Sequence, residues 1–237
     1  MIKLNKFYYP TSFIRSDIEG QGRTYDVKDQ VALASVTTIL GETKDKSFLE
    51  DWKKRVGKEQ AKKIMTDAAK RGTSMHNIIE GWVSGQEHLD LTPIGQNAHS
   101  MATQIIKNGL KDRLEGYYGI EALMYYPGLY AGSADLVAKH DGEITIIDFK
   151  QTNKPKREEW IEDYFLQMAA YGMAHDVVHN TAIEQGIIMM CSKDGYYQQF
   201  MIEGDKFRQA KHKFLGRLNE FYNSMGNNSD AVVSGTG

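Results

Sequence analysis

The chain has 237 residues, 41% hydrophobic and 25% charged, with a formal net charge of -2. That is the make-up of an ordinary globular protein with room for a sizeable core, and it excludes a disordered or fibrous chain. No apolar run approaches the roughly 18 residues that span a bilayer, so no membrane association is expected. The single cysteine, Cys191, rules out an internal disulfide, an all-cysteine iron–sulfur cluster and a zinc knuckle. The opening stretch MIKLNKFYYPTSF has neither the apolar core of a secretory signal nor the Arg/Ser-rich pattern of a transit peptide. A cytoplasmic protein, of a bacterial or phage-infected cell, is expected.

Residues 1–34 read as an irregular or short-stranded lead-in. Ser35 to Leu40 is apolar and β-branched, and Gly41 ends it. From 44 to 70, Phe48, Leu49, Trp52, Val56, Ile64, Met65 and Ala68 recur at helical spacing with lysines opposite, and Gly57 is a candidate break. Gly72-Thr73-Ser74 resets the chain, with Thr73 or Ser74 able to cap a new helix over about 74–84. Thr92-Pro93 opens another, to about 114.

Three strands are expected next, at 118–126, 129–138 and 143–149, the last two joined by an Asp141-Gly142 turn. A helix follows over about 156–178, then strands at 184–191 and 196–202 and a helix from 204 to about 224. The order implies an α/β (α+β) layer fold: a central mixed sheet of about five strands flanked by helices. A single domain over 1–225 is expected, with a lead-in and helical region at 1–71 and a core at 72–225. Residues 226–237, polar and small, read as a flexible tail.

Chemistry concentrates where the buried strand Ile144–Ile147 runs into Asp148-Phe149-Lys150. Residues two apart on a strand share a face, so this carboxylate and ammonium point the same way, and Asp135 lies on the neighbouring strand. Two acids suit a hard cation such as Mg²⁺, with the Phe149 main-chain carbonyl as a further ligand. Lys150 can position a water or neutralise charge in the transition state. His76 is a candidate ligand, expected in the first turn of its helix. Glu80, one turn on, and Glu121, on the first core strand, are further candidates. Gln167 and Tyr171, at i and i+4, share a helix face beside the site. Basic residues cluster at 42–71, ten against six acids, and at 206–217, five against none, while acids collect at 158–163. They are either solvated helix faces or tracks for a polyanion.

Gly72-Thr73-Ser74-Met75-His76, Gly132-Ser133-Ala134-Asp135, Asp148-Phe149-Lys150 and Gln167-Met168-Ala169-Ala170-Tyr171 stand in an order that resembles the RecB-like branch of the PD-(D/E)XK nuclease superfamily. Within it the likeness is greatest to the mitochondrial genome maintenance exonuclease group and related phage exonucleases, over roughly 35–222. The resemblance implies a restriction-endonuclease-like core and a metal-dependent DNA exonuclease of replication, recombination or repair, probing single strands in preference. It implies one or two Mg²⁺ or Mn²⁺ ions on His76, Asp135 and Asp148. Lys150 would be catalytic, with Gln167 and Tyr171 supporting the substrate or the lysine. DNA is the expected partner, with a helicase, polymerase or single-strand-binding protein beside it. Trp52, Trp82 and Tyr164 are candidates for stacking on bases. A structure-selective or nicking endonuclease and a noncatalytic DNA-binding recombination module are the alternatives.

Overall fold

The computed structural model describes residues 1–18 and 22–233. Eight strands and six α-helices form it: β1 (Phe13–Ile18), β2 (Gly22–Val27), β3 (Gln30–Ala34), α1 (Val36–Glu42), α2 (Ser47–Val56), α3 (Lys58–Ser84), α4 (Pro93–Ile105), β4 (Leu114–Tyr126), β5 (Tyr130–His140), β6 (Glu143–Thr152), α5 (Glu162–His179), β7 (Gln185–Ser192), β8 (Tyr197–Glu203) and α6 (Gly204–Val233).

The expected five-stranded mixed sheet is present, in the order β4-β5-β6-β7-β8. Strands β4, β5 and β6 form an antiparallel meander, β6 pairs parallel with β7 through the α5 crossover, and β8 returns antiparallel. Asp141 and Gly142 both take positive φ, 48° and 88°, as the tight β5–β6 turn requires.

Helices cover both faces. One core joins Ile146, Val137 and Ile188 to α1, α5 and α6 through Ile39, Met168 and Phe214. The other joins Leu136, Ile147, Phe149 and Met189 to α3 and α4 through Met75, Ile79 and Met101. Cys191 is buried in the second core, and burial pushes its thiol up to about 11. Among the described residues no helix is long and apolar enough to cross a membrane.

Several local expectations are corrected. Of the two readings of the lead-in the short-stranded one holds: it is a three-stranded antiparallel sheet, β1-β2-β3, whose Tyr25, Val27 and Leu33 pack on Leu123, Tyr125 and Ala131 of the β4–β5 hairpin. Ser35–Leu40 enters helix α1: the Ser35 hydroxyl accepts from the Thr38 N–H, an N-cap that overrides β-branched propensity. Gly57 does break the next helix, at φ 84° and ψ 146°. No reset occurs at 72–74. Helix α3 runs unbroken for 27 residues, because the Ser74 hydroxyl donates to Asp90 and does not cap. The helix from Pro93 ends at Ile105, where a π-helical turn over Ile106–Leu110 and positive φ at Asp112 release the chain into β4. The crossover helix starts at Glu162, after a short 3₁₀ turn. The last helix continues to Val233, and residues 234–237 of the expected tail lie outside the described residues.

Candidate metal centre and its lysine

The site forms where the sheet opens. Strands β5 and β6 pair from His140↔Glu143 to Leu136↔Ile147 and then part, while β5 continues along β4 to Tyr126↔Tyr130. Beyond the parting point the β6 backbone needs other partners. Asp135 and His76 supply them. The Phe149 N–H donates to Asp135 Oδ2 at 2.7 Å, and the Phe149 carbonyl lies 2.8 Å from His76 Nε2.

That contact fixes the histidine. A carbonyl only accepts, so Nε2 carries the proton and Nδ1 presents its lone pair. His76 Nδ1 stands 3.6 Å from Asp135 Oδ1. Glu121 completes the group: ligand atoms of His76, Glu121 and Asp135 all lie within 4.8 Å of one another. Glu121 sits on β4 across from Asp135, between the pairs Ile120↔Leu136 and Ala122↔Ala134. Its φ is +44°, unusual for a non-glycine residue in a strand, and its carboxylate accepts from the Ser133 hydroxyl at 2.7 Å. Such strain of order 1 kcal/mol persists only where the surroundings enforce it.

Asp148 and Lys150 occupy the other side of β6. Asp148 is buried and paired with Lys150. The Lys150 ammonium also lies 5.1 Å from the centre of the Tyr164 ring. Burial pulls the Lys150 ammonium down, but Asp148 and Asp135 outweigh it and hold it protonated. Gln167 Nε2 donates to the Tyr171 hydroxyl at 3.2 Å and lies 3.4 Å from Asp148 Oδ1. Burial raises the Tyr171 hydroxyl far above its ordinary range, so it stays neutral. Gly132 makes room for that ring, since a Cβ there would lie 2.7 Å from Tyr171 Cε1.

Burial and the charge of Asp148 also raise the Asp135 carboxyl well above the ordinary carboxylate range. A buried carboxylate with a second acid beside it and an imidazole lone pair facing it is a donor set that suits a divalent cation.

The chain thus brings His76, Asp135, Asp148, Phe149, Lys150, Gln167 and Tyr171 into one region, with Glu121 as an equal member of the ligand group. Glu80 is half-buried, its carboxyl raised by burial and by Glu121, and it is not within that three-residue group. Sequence reasoning missed Arg71, which holds the end of β6 by donating to Gln151 at 2.9 Å and Asn153 at 2.7 Å. Its only signal is its place just before Gly72. Trp82 packs against the α3–α4 core. Tyr164 packs on the α5–α6 core and serves Lys150.

The two basic stretches differ. All five cations of 206–217 are paired with acids: Lys206 with Glu158, Arg208 with Glu184 and Asp205, Lys211 with Asp176, Lys213 with Glu162 and Arg217 with Asp163. Each cation of that face is offset by an acid. Of the acids at 158–163, Glu158, Glu162 and Asp163 pair with α6 and Lys44, and Glu159 pairs with Arg157. Among the described residues, Lys58, Lys62, Lys63 and Lys70 of α3 are exposed and in no ion pair.

Over 205 residues, 80% of its length, the chain is 30% identical to the human protein named mitochondrial genome maintenance exonuclease 1. That likeness runs through most of this chain. It is also 30% identical to the mouse protein over 207 residues. The chain spans 58% and 59% of the length of these two relatives. No family model matches. Among solved structures it is similar to a phage-related exonuclease from Haemophilus somnus, at TM-score 0.36 and 11% identity, covering 66% of this chain and 82% of that one. It is also similar to an alkaline exonuclease from Laribacter hongkongensis, at TM-score 0.32 and 17% identity, covering 68% and 85%.

Proposed function

We propose that the protein is a Mg²⁺- or Mn²⁺-dependent DNA exonuclease of the RecB-like PD-(D/E)XK type, working on single strands. The observation that carries this is the meeting of His76 Nδ1, Glu121 and Asp135 beside the buried Asp148–Lys150 pair. Homologues named as exonucleases support it.

His76, Glu121 and Asp135 would hold the cation, with Asp148 close by. When bound, a divalent cation supplies Lewis acidity toward a phosphoryl oxygen and acidifies a water nucleophile. The protein's own residues do the rest. The Phe149 N–H and carbonyl hold Asp135 and His76 in their ligating orientations. Lys150, kept charged by Asp148 and seated on Tyr164, offers a proton-rich cation to the oxygens where negative charge builds up. Gln167, itself held by the Tyr171 hydroxyl, faces Asp148 from the α5 side, so that the carboxylate serves Lys150.

DNA as the partner is supported by the unpaired lysines of α3. Lys53, Lys58, Lys62 and Met65 line a groove of about 370 Å³ between α2 and α3. Lys62 lies fourteen residues before His76 on one helix, roughly 21 Å along its axis. Such cations fit a strand's phosphates and make binding salt-dependent. A role in replication, recombination or repair, beside a helicase, polymerase or single-strand-binding protein in the cytoplasm, follows from this reading alone.

The test incubates the protein with end-labelled linear and with circular DNA, single- and double-stranded, in Mg²⁺, Mn²⁺ or EDTA. Loss of linear single strands with circles intact, and only with a cation, is expected. Cutting of circles would replace the reading with an endonuclease. No cutting under any cation would replace it with a noncatalytic DNA-binding module.

A further inference from the structure

The segment at residues 2–11 straps the edge of the sheet beside the metal group. It joins the edge of β4 at one point, where the Leu4 N–H donates to the Tyr117 carbonyl at 2.7 Å and the Tyr117 N–H to the Ile2 carbonyl at 3.0 Å. It then leaves the edge and crosses to α5. There the Tyr9 hydroxyl and His175 Nε2 are 2.9 Å apart, and the Phe7 and His175 rings meet edge to face at 4.7 Å. The tautomer of His175 is set by its other nitrogen. The Thr181 hydroxyl gives its proton to Asp176, so it accepts from His175 Nδ1–H, and Nε2 accepts from Tyr9. The strap is therefore anchored at both ends. Gly119 lets it pass close, since a Cβ there would lie 2.7 Å from Tyr9 Cε2.

Between the strap and β4 is a cavity of about 530 Å³, lined by Lys3, Asn5, Tyr8, Tyr117, Ile120 and Glu121 among others. Two features set it apart. It reaches Glu121, which belongs to the metal group, so its contents are neighbours of the reaction. Phe7 and Tyr9 turn inward while Tyr8, between them, is 69% exposed. An exposed tyrosine on an anchored strap gives a π-face without a packing role, and the pocket is of a size that takes a nucleotide-sized ligand.

We infer that this cavity is a nucleobase pocket: Tyr8 stacks on the base of the nucleotide next to the scissile phosphate, and Lys3 attends its phosphate. This rests on the nuclease reading above and deepens it. Every base has a π-face, so stacking would hold the nucleotide without reading sequence.

The experiment compares the wild type with Tyr8→Ala and Tyr8→Phe on linear single strands that carry either normal bases or abasic residues at the ends. Tyr8→Ala is expected to raise KM about tenfold for normal ends, in keeping with base–aromatic stacking, and less than twofold for abasic ends. Tyr8→Phe is expected to restore the wild-type KM. An equal effect of Tyr8→Ala on both substrates, or none on either, would overturn the proposal. A second arm measures calorimetric binding of deoxyadenosine 5′-monophosphate to the full chain in EDTA, where cutting plays no part. Binding by the wild type that Tyr8→Ala weakens about tenfold is expected, and equal binding by the two would overturn the pocket even in a chain that cuts DNA. If the chain binds the mononucleotide in this way but cuts nothing, the nuclease reading fails and the pocket stands.

Discussion

At the scale of single residues the site is a balance of buried charge. Asp135 lies among groups that disfavour its charged form, burial first and Asp148 second. The sign follows. A carboxyl whose folded pKa lies above its unfolded one contributes stability at low pH, and that contribution is lost as pH rises out of the carboxylate range toward neutrality. The metal-free protein is therefore expected to lose stability over that rise, and Asp135→Asn to remove part of the loss. The amide oxygen can still accept from the Phe149 N–H. Urea unfolding of both proteins in EDTA, from pH 4 to pH 8, checks this. Parallel curves would contradict it. Glu121 makes a companion case. Its left-handed backbone suits glycine, so Glu121→Gly is expected to gain about 1 kcal/mol in urea unfolding while Mn²⁺ affinity falls. A loss of stability would contradict this expectation. At this scale the types and order of His76, Asp135, Asp148 and Lys150 in the sequence were enough to expect them in one region, where the fold has them. The sequence spoke poorly for Glu121, because the backbone twist and the cross-strand register that aim it at Asp135 leave no residue pattern.

At the scale of elements, α3 is the correction that matters most. Gly72, Thr73 and Ser74 have the composition of a helix boundary, yet the helix passes through them. Tertiary contacts favour this: Arg71 ties to β6, and the Ser74 hydroxyl is taken by Asp90. An uninterrupted helix makes a clear prediction. A Cβ at Gly72 would meet only Gln151 Cγ, at an ordinary 3.4 Å, so Gly72→Ala is expected to stabilise the protein by about 0.5–1 kcal/mol in urea unfolding. Gly132→Ala is expected to do the opposite, because its Cβ would strike the buried Tyr171 ring. The strands and the α5 crossover were legible from periodicity and from Asp141-Gly142. The β1–β3 sheet was legible only as one of two readings, since short strands with mixed exposure carry no strong alternation.

At the scale of the molecule, the mixed sheet, its two helical layers and the parting of β5 from β6 make one floor and two walls. The charge pattern could not be read from composition. The two basic stretches look alike in sequence, and only the fold shows that α6 is neutralised by acids while α3 keeps exposed lysines free of ion pairs. Strand binding should therefore weaken steeply with salt and depend on Lys58 and Lys62, and hardly on Lys206 or Lys213. The measurement closest to the central claim follows the end-labelled linear single strand with Mg²⁺, Mn²⁺ or EDTA for three proteins: wild type, Asp148→Asn and Lys150→Gln, each checked for fold by circular dichroism. Cutting by the wild type alone, and only with a cation, is the predicted result. Undiminished cutting by either folded variant, or by the wild type in EDTA, would contradict the account.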